Sequence, residues 1–465
     1  MMEPLIRENL PRLQSLYDRV PSPARHVLTS ARGWFLTRLR YSRHTFAFLR
    51  ELRTHESWTT TQICDHQLGA LRQIVRHAYH TVPFYCSYPR VEIRSPEDLR
   101  RLPILDRETV LQNHHSFLSC ATPPRRRIRA GTTGTTGASL PVAYTEDLVR
   151  RNWAFLLRQW AWAGVKPRTP RLTLQGSRIV PARRLAPPYW TYNVPERQVL
   201  MSIFHLSERT AHSYLNFLRR NCGKVLEGFP SVLGILADFA RERGERLPMC
   251  AVFTSGEPLY PSLRAKIEAS FGAPVFDTYG MTEYCGLIQQ CERGHMHLAP
   301  EYGFLEILDE RGEPAAPDEE GYFVWSGFLN EAMPLLRYRI GDRGRWQYGY
   351  DCPCGRAFPL VVPTITRESD ILHCPDGRLF SPRALNQLLK RTVSLRFCQI
   401  VHERPERVVV RAGPADRRAA EQLMQVRDDL QALLGTGMQV TAEMVAAPLV
   451  RSGGKIPLIV SQVPQ

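Results

Sequence analysis

Short apolar runs alternate with segments of helical apolar spacing along the chain from about residue 126 to residue 300. The runs RLTLQG, KVLEGF, CAVFTSG and APVFDTYG predict strands, whereas ERTAHSYLNFLRRN and SVLGILADFARERG predict helices. Strand followed by helix, repeated, indicates α/β layers with largely parallel strand pairing. Several of these strands end in glycine-bearing or acidic loops, and ligands of open α/β sheets bind at the carboxyl ends of the strands.

The pattern differs at the two ends of the chain. Residues 1–125 carry apolar residues at helical spacing, as in QLGALRQIVRHAYHTVPFY, and predict a basic helical region packed on a large domain of residues 126–366. After about residue 302, shorter strands and turns follow in YGFLEILDERGEP and GYFVWSGF. The segments ERVVVRAG, RAAEQLMQVRDDLQALLGTG and MQVTAEMV then predict a small α+β domain over residues 367–465.

A formal charge of +16 and a pI near 9.6 over 465 residues favour acidic partners: nucleotides, nucleic acids or an anionic membrane surface. With 43% hydrophobic and 9% aromatic residues, the composition is typical of a folded protein of two or three domains. The arginine-rich piece ARGWFLTRLRYSRHTFAFLRELR has two interpretations. It is either an amphipathic helix lying on a membrane or a partner, or a basic helix packed on its own domain.

The sequence indicates a cytoplasmic protein. Its first residues, MMEPLIRENLPRL, have neither the apolar core nor the small-residue cleavage site of a signal peptide. No apolar run approaches the roughly 18 residues that a membrane-spanning helix needs. Eleven cysteines, two of them in a CPC triplet, suit thiols and metal ligands better than a disulfide framework.

The stretch GTTGTTGASLPVAYT, which begins at Gly131, contains no acidic and no basic residue. Glycine lets a ligand approach the backbone closely, and successive backbone N–H groups form a nest for anions. The stretch is not a Walker loop, because Ala138 stands after Gly137 where lysine is needed, and it is not a dinucleotide fingerprint. Composition alone favours a phosphate-binding loop and a flexible loop about equally.

Four further motifs follow in order: TSGEPL at Thr254–Leu259, DTYGMTE at Asp277–Glu283, RYRIGD at Arg337–Asp342, and RSGGK ending at Lys455. Together with AYHTVPFY and EGFPSVLGILA, the set resembles the adenylate-forming enzymes (acyl-CoA synthetases and their relatives). The resemblance is closest to the phenylacetate-CoA ligase-like branch, which includes capsule-biosynthesis homologues, and it covers nearly the whole chain. It implies an α/β fold with a large N-terminal adenylate-forming domain, a helical N-terminal extension and a small mobile α+β C-terminal lid.

The resemblance implies an ATP site built from these motifs. Tyr279 would flank the adenine ring, and Asp342 would accept hydrogen bonds from both ribose hydroxyls. Arg367 would open the hinge before the lid, in a segment where Ser369 replaces the first of two acidic residues. The full set of implied ATP-binding residues is Thr132, Thr133, Gly134, Thr135, Thr136, Gly137, Ser255, Gly256, Glu257, Asp277, Tyr279, Gly280, Asp342 and Arg367.

The resemblance also assigns catalytic roles to Thr282, Glu283 and Lys455. Thr282 would hydrogen-bond the α-phosphate, and Glu283 would hold a magnesium ion, which prefers carboxylate oxygen. Lys455 would bridge carboxylate and phosphate while acyl-adenylate and pyrophosphate form. The lid would then rotate and admit the second nucleophile: coenzyme A, a carrier-protein thiol, or an amine or hydroxyl of a glycan or small molecule.

The acyl pocket is expected at the FPS turn and just after the DTYGMTE motif. Its predicted lining residues are Phe229, Pro230, Ser231, Tyr284 and Gly286. An aromatic wall at these positions would suit an aryl acid or another small organic acid. None of them carries a charge that would select the ammonium group of an amino acid.

A second cluster, in CERGHMH and DCPCG, predicts a structural zinc site with the ligands Cys291, His297, Cys352 and Cys354. Three thiolates and one imidazole make a closed tetrahedral site. Members of the phenylacetate-CoA ligase-like branch carry cysteine and histidine at these places. His295 and Cys285 are rival ligands, and unliganded thiols are the alternative.

Two other functions are left open by the residues. The arginine-rich N-terminus and Arg125–Arg127 would suit a basic, zinc-stabilised nucleic-acid-binding protein. However, the chain carries no recognised nucleic-acid motif, and aromatic residues do not interleave with the basic runs, so no specific nucleic acid is expected. A degenerate nucleotide-binding scaffold is suggested by Ala138 and Ser369, but the other motif residues are those of an active enzyme.

Overall fold

The computed structural model describes residues 20–131, 140–175, 179–181, 184–364, 372–375, 379–380, 385, 394–450 and 456–463. The helices are α1 Ser22–Arg40, α2 Arg43–His55, α3 Thr60–Thr81, α4 Pro83–Cys86, α5 Arg107–Gln112, α6 Glu146–Trp162, α7 Glu208–Arg219, α8 Pro230–Glu242, α9 Pro261–Phe271 and α10 Ala419–Leu434. Short 3₁₀ helices cover Pro96–Arg101, His114–Phe117 and Pro124–Arg126. Within these described ranges, no helix combines the length and the apolar character needed to cross a membrane.

The strands of the first two thirds of the chain are β1 Ile128–Gly131, β2 Pro141–Tyr144, β3 Arg171–Gln175, β4 Trp190–Asn193, β5 Gln198–Ser202, β6 Val225–Gly228, β7 Ala251–Ser255, β8 Val275–Gly280, β9 Leu287–Gln290, β10 Met296–Leu298 and β11 Gly303–Leu308. Those of the last third are β12 Gly321–Gly327, β13 Tyr338–Trp346, β14 Val361–Pro363, β15 Leu372–His373, β16 Leu379–Phe380, β17 Leu395–Arg404, β18 Arg407–Pro414, β19 Gln439–Met444 and β20 Ile459–Ser461.

Helix α3 is the element that the spacing in QLGALRQIVRHAYHTVPFY predicts. It begins with a capping box, in which the Thr59 hydroxyl accepts from the Gln62 N–H while the Gln62 side chain accepts from the Thr59 N–H. Apolar side chains three, four or seven positions apart lie on one face and are buried, among them Leu71, Ile74 and Ala78. The helical character predicted for the region before residue 126 is confirmed over its described part.

The arginine-rich piece forms two helices, α1 and α2, and not one. Helix α2 begins after Ser42, whose hydroxyl accepts from the Thr45 N–H at 3.2 Å, and this N-cap follows the end of α1 at Arg40. Both helices pack on α6. One face of α1, which includes Gly33 and Leu36, is buried, so the interpretation as a helix packed on its own domain holds for that face.

The chain folds into two compact units, each assembled from separate stretches of sequence. The first comprises residues 1–170, 191–199 and 276–363, and the second comprises residues 171–190, 200–275 and 364–465. The three domains predicted from the sequence are, in contrast, consecutive ranges of the chain. Their boundaries stay a prediction.

The first unit contains the strands that carry two of the sequence motifs. Strand β8, with DTYGMTE at its end, pairs antiparallel with β9, which pairs with β10. Strand β13, with RYRIGD, lies between β12 and β14 in an antiparallel sheet. Leu105 is tied to this strand, because its N–H donates to the Arg337 carbonyl and its carbonyl accepts from the Arg339 N–H. The helical N-terminal region is thereby anchored beside the RYRIGD motif.

The second unit contains the parallel α/β layers. Strands β3, β6 and β7 pair in parallel, with β6 between the other two. Helix α8 follows β6 and has Pro230 at its first turn, where a missing N–H costs nothing. Helix α9 follows β7. It is capped at its C-terminal end by Gly272, which has the left-handed backbone conformation, with a φ of +56°. The alternation of strand and helix therefore gives the predicted α/β fold class.

The last described residues of the second unit form the expected small α+β structure. Strands β17, β18, β19 and β20 make a sheet in the order β19-β18-β17-β20, and α10 packs against it. Its core includes Val408, Val410 and Leu430. Arg396 on β17 binds the carboxylate of Glu242 on α8 at 3.0 Å and lies 4.3 Å above the ring of Phe239. This arginine stabilises the packing of β17 against α8.

Candidate active site and metal centre

Tyr279 and Asp342, the residues assigned to adenine and ribose, are hydrogen-bonded to each other. Tyr279 lies near the end of β8 and Asp342 lies within β13, and both are buried. The Tyr279 hydroxyl donates to Asp342 Oδ2 at 2.8 Å. Its ring packs edge-on against Phe323 and nearly parallel to Trp325, with centroids 5.6 and 6.1 Å away. The Asp342 carboxylate is thus held in place. Because a carboxylate accepts hydrogen bonds, it can pair with neutral hydroxyl groups such as those of a ribose.

Asp277 and Gly280 belong to the same strand, whose backbone is held by two glutamines. The Asp277 N–H donates to Gln290 Oε1 at 3.0 Å, and its carbonyl accepts from Gln159 Nε2 at 2.8 Å. The Thr278 hydroxyl donates to Gln159 Oε1 at 2.7 Å. Gly280 ends the strand. These buried amides fix the position of the DTYGMTE motif relative to α6 and β9.

A tight turn follows β8 and presents Thr282 and Glu283. The Tyr284 N–H donates to the Met281 carbonyl, and Tyr284 has a φ of +58°, a conformation that costs a non-glycine residue free energy. The buried Glu283 Oε1 accepts from the Tyr338 hydroxyl at 3.2 Å. Burial, together with the neighbouring Glu283 carboxylate, raises the pKa of Tyr338, so the phenol stays protonated and remains a donor. The carboxylate is the donor type that magnesium prefers.

The residues predicted for the acyl pocket after this turn are surrounded by aromatic rings. Tyr284 lies 5.2 Å from Tyr144, measured between ring centroids. A Cβ built on Gly286 would lie 2.3 Å from the six-membered ring of Trp325, so only glycine fits beside that indole. Trp325 is fully buried, and its Nε1 has no hydrogen-bond partner among the described residues. A buried N–H without a hydrogen-bond partner costs folding free energy. The sequence alone gave no indication of this donor.

In the second unit, Glu257 of the TSGEPL motif connects two backbone segments. One carboxylate oxygen accepts from the Ser231 N–H at 3.1 Å, at the positive N-terminal end of α8. The other accepts from the Ile456 N–H at 2.8 Å. Glu257 follows Ser255, the last residue of β7, and Gly256, whose φ of +82° favours glycine. The TSGEPL motif, the FPS turn and the residue after Lys455 are thereby brought together.

The FPS turn supplies the remaining residues of the predicted acyl pocket. Phe229 is the N-cap position of α8, and Pro230 and Ser231 form its first turn. Pro230 is buried, while Ser231 is half-buried. The Ser231 N–H is used by Glu257, as described above, and the Ser231 hydroxyl has no hydrogen-bond partner within the described part of the chain.

Several predicted residues lie outside the described residues: Thr132, Thr133, Gly134, Thr135, Thr136, Gly137, Arg367 and Lys455. Their assigned roles stay predictions. The glycine-threonine stretch connects β1 to β2, which pair antiparallel with Gly131 opposite Pro141. The two chain positions that flank the stretch are therefore neighbours.

The four predicted zinc ligands form a cluster in the first unit. The sulfur atoms of three cysteines and a ring nitrogen of one histidine all lie within 4.8 Å of one another: Cys291, His297, Cys352 and Cys354. The Cys291 and Cys352 sulfurs are 3.7 Å apart, and Cys354 Sγ is 3.4 Å from His297 Nε2. Three sulfurs and one imidazole nitrogen at these separations match the donor set of a tetrahedral zinc site.

Two similar turns position the cysteines. In Cys291–Gly294 and in Cys352–Gly355, the glycine N–H donates to the carbonyl of the cysteine three residues earlier at 3.0 Å. Both glycines have positive φ, +83° and +79°. The Arg293 N–H also donates to Cys291 Sγ. A Cys-x-x-Gly repeat is thus the local sequence signal for both turns, although only the cysteines were noted from the sequence.

The surroundings of the cluster keep its histidine neutral and, in the absence of a metal, its buried thiols protonated. The His297 Nδ1 donates to the Phe358 carbonyl at 2.9 Å, which leaves the lone pair of Nε2 towards Cys354. Burial lowers the pKa of His297 to about 4, so the ring is neutral at pH 7. Burial also raises the pKa of Cys291, and that of Cys352 to about 12. A divalent cation would offset this cost of burying thiolates.

The two rival ligands lie elsewhere. His295 Nε2 is 3.1 Å from the Tyr350 hydroxyl. The Cys285 thiol is buried after the DTYGMTE turn and points to the Glu283 carbonyl. Burial raises the pKa of Cys285, so it remains a thiol.

Arg337, the first residue of RYRIGD, has a role that the sequence did not indicate. It is buried and forms two 3.0 Å contacts with the Glu306 carboxylate, through Nε and Nη2. Its Nη1 donates to the Leu102 carbonyl at 2.8 Å. This arginine therefore connects β13, β11 and the N-terminal region, and it serves the fold.

Sequence analysis also missed a buried charge cluster centred on Glu301. Arg158 Nη1 binds Glu301 Oε1 at 2.7 Å, and His55 Nδ1 lies 3.2 Å from the same oxygen. The His55 ring stacks on Trp58. Burial alone would raise the pKa of Glu301, but Arg158 and the hydrogen bonds from His55 and Arg158 lower it below its ordinary value. The cluster joins α2 and α6 to the residues before β11.

The chain is similar to known adenylate-forming proteins. Residues 195–330 match the AMP-binding enzyme family. The chain is 23% identical to Protein CapK of Staphylococcus aureus over 338 residues, covering 71% of this chain and 72% of that protein. It is 27% identical to the phenylacetate-coenzyme A ligase of Thermus thermophilus over 329 residues, covering 65% and 69%. The structure of 2-hydroxyisobutyryl-CoA ligase in the postadenylation state matches with a TM-score of 0.67 at 18% identity, covering 88% and 91%.

These similarities support the resemblance of the chain to the adenylate-forming enzymes and indicate an AMP-forming ligase. The similarity to CapK and to phenylacetate-coenzyme A ligase supports the phenylacetate-CoA ligase-like branch in particular. Neither the scaffold nor the nucleic-acid-binding alternative is favoured by these similarities.

Proposed function

We propose that the protein uses ATP to convert an aryl or other small organic acid into an acyl-adenylate, and then transfers the acyl group to the thiol of coenzyme A or of a carrier protein. The observation that carries this proposal is the buried hydrogen bond between Tyr279 and Asp342. It joins the DTYGMTE and RYRIGD motifs, which are far apart in the sequence, through the two side chains assigned to the nucleoside.

The proposed reaction has two steps. A carboxylate oxygen of the acid attacks the α-phosphorus of ATP, the bond to the bridging oxygen breaks, and pyrophosphate leaves. The acceptor sulfur then attacks the acyl carbonyl carbon and loses its proton, and AMP leaves. Such transfers depend on positioning and on charge stabilisation rather than on covalent catalysis by the protein.

Residues of the described turn fit the first step. Thr282 would donate a hydrogen bond to the α-phosphate. Glu283 offers a buried carboxylate that accepts a hydrogen bond from Tyr338. This carboxylate would hold magnesium, which neutralises phosphate charge when bound. Because Tyr338 donates to one oxygen of Glu283, the carboxylate is oriented before any ligand arrives.

The contacts of Glu257 support the role proposed for Lys455. The residue that follows Lys455 in the chain, Ile456, donates its N–H to Glu257. Glu257 belongs to a motif assigned to the nucleotide, so Ile456 is anchored to that motif. An ammonium group that contacts both the attacking carboxylate and the α-phosphate would bring the two anions together and stabilise the negative charge on the phosphate, which would lower the barrier.

The aromatic rings around Tyr284 support an aryl or other flat, apolar acid. Tyr144, Tyr284 and Trp325 supply apolar faces, and the Trp325 N–H would pair with an oxygen acceptor on the acid. Among these residues there is no charged group, which agrees with an acid that lacks an ammonium substituent.

The test is pyrophosphate release from ATP in the presence of a library of carboxylic acids. We expect at least one small acid to give turnover, and Lys455→Ala to reduce the rate by about 10²–10³-fold through loss of charge stabilisation. Lys166→Ala removes an exposed lysine and is the matched control, which should keep the full rate.

The outcomes separate the two steps. Pyrophosphate release without loss of free coenzyme A thiol would point to a carrier-protein thiol, an amine or a hydroxyl as acceptor. Absence of release with every acid, or an unchanged rate for Lys455→Ala, would contradict the proposed activation step.

We also propose that Cys291, His297, Cys352 and Cys354 bind zinc. The support is the mutual closeness of their donor atoms and the orientation of His297 by the Phe358 carbonyl. All four side chains face one another, so the site would be closed and structural. The metal would connect the turn before β10 to the turn before β14.

A further inference from the structure

We propose that the exposed face of α1 binds the surface of an anionic phospholipid membrane. This face consists of Val27, Leu28, Trp34 and Phe35, whose exposed fractions are 67%, 49%, 56% and 52%. The four positions are separated by one, six, seven or eight residues, which places them within about 120° of one another around the helix axis, so they form one stripe along the helix. Large apolar side chains clustered on an exposed face mark an interaction surface.

The rotation of α1 about its axis is fixed by its other face. A Cβ built on Gly33 would lie 1.6 Å from Asn193 Oδ1, so the side chain of Asn193 on β4 packs directly against the backbone of α1 at this glycine. The Ser30 hydroxyl donates to the Tyr192 carbonyl and accepts from the Val194 N–H, each at 3.2 Å. Arg40 pairs with the buried Glu196 at the C-terminal end. The helix therefore cannot turn its apolar stripe inward without breaking these contacts.

The charges around the stripe select an anionic surface. Helix α1 contains no aspartate or glutamate, and its arginines include Arg32 and Arg38. The Arg38 guanidinium lies 4.5 Å above the ring of Trp34, so a positive charge and an aromatic ring lie next to each other on the surface of the helix. Tryptophan beside arginine is typical of helices that lie in the plane of a membrane interface. The adjacent exposed Arg43 adds to this charge.

A second copy of the chain is a less suitable occupant. Each copy carries a formal charge of +16, and pairing two acid-free helices through their stripes would bring arginines of like charge together. The headgroups of phosphatidylglycerol supply the opposite charge, and the acyl boundary accepts the apolar side chains. With one face packed on the protein and an exposed apolar stripe on the other, α1 would lie in the plane of the membrane surface.

The test is co-sedimentation of the full chain with vesicles of phosphatidylcholine alone or with phosphatidylglycerol. We expect binding to the mixed vesicles that weakens with added salt. The double variant Trp34→Ser/Phe35→Ser should partition at least about tenfold less, since a factor of ten corresponds to only part of the transfer free energy of two aromatic side chains. Arg38→Glu should weaken binding to the mixed vesicles only.

The matched control is Met424→Ser, which removes an apolar side chain of similar exposure (42%) from α10. It should bind as the unmodified chain does, and circular dichroism should show that all variants are folded. Lack of binding to the mixed vesicles, or equal binding by the double variant, would overturn the proposal. It would also be overturned if light scattering showed a dimer that the double variant abolishes while vesicle binding is unchanged.

Discussion

A methyl group added at Gly286 would have no room, because its carbon would lie 2.3 Å from the Trp325 ring. We expect Gly286→Ala to displace that indole and to cost about 1–3 kcal/mol of folding stability, as overpacking of a core does. If this glycine lines the acyl pocket, the KM for the acid should rise while the KM for ATP stays unchanged. Steady-state pyrophosphate release, with each substrate varied in turn, measures both.

Gly69→Ala is the control for the glycine substitution. Gly69 lies within α3, and a Cβ there would meet no atom within 4 Å. Alanine is the better helix former, so this variant should be more stable by up to about 1 kcal/mol and fully active. An equal rise of both KM values for Gly286→Ala would contradict the acyl-pocket assignment and indicate general distortion of the unit.

The sequence motifs located candidate residues, whereas contacts between residues far apart in the chain could not be predicted from the sequence. Tyr279, Asp342 and Glu257 were identified from their motifs, and the structure gives each a buried hydrogen-bonded position. Arg337 belongs to a motif as well, but its pairing with Glu306 depends on two strands that meet only in the folded chain. A charge pair between distant residues leaves no local pattern, because its members need no fixed spacing.

At the scale of elements, each of the two Cys-x-x-Gly turns is closed by its own backbone hydrogen bond, and zinc, as proposed, would connect the two turns. Stoichiometric zinc is expected in freshly purified protein, measured by elemental analysis. Cys352→Ser should lose most of it and destabilise the chain by more than about 3 kcal/mol in urea unfolding, because folding and metal binding are coupled.

Cys64→Ser is the matched control, because Cys64 is an exposed thiol on α3 outside the cluster. It should retain zinc and stability. Zinc well below stoichiometry in the unmodified protein, or full retention of zinc by Cys352→Ser, would refute the site.

Most elements were predictable because their apolar spacing agrees with their final structure. Strands β3, β6, β7 and β8 coincide with the predicted apolar runs, and α7, α8 and α10 with the helical spacing. The break between α1 and α2 was not predicted, since both helices share one arginine-rich apolar pattern. The N-cap at Ser42 that starts α2 competes with helix continuation through a single side-chain hydrogen bond.

At the scale of the whole molecule, the pH dependence of stability should carry the signature of Glu301. Its pKa in the folded state lies below the ordinary value of 4.5, so its contribution is present above that pH and is lost as pH falls through the lowered folded pKa. At neutral pH, Glu301→Gln should destabilise the protein by about 3–5 kcal/mol, because Arg158 is left buried without its partner. This difference should shrink below about pH 4.5 in urea unfolding between pH 3 and pH 7.

The control for this series is Glu319→Gln, at an exposed loop position. Its stability should follow that of the unmodified chain at every pH. A destabilisation by Glu301→Gln that is the same at pH 3 and at pH 7 would contradict the charge cluster as its cause.

Arg396, which lies outside every nucleotide motif, connects β17 to α8. A single guanidinium contacts both the Glu242 carboxylate and the Phe239 ring, so any displacement of β17 from α8 breaks both contacts in one event. If the C-terminal residues move during the reaction cycle, as the mobile lid implied by the resemblance would, Arg396→Ala should weaken their hold on α8 and alter the turnover rate without altering the chemistry.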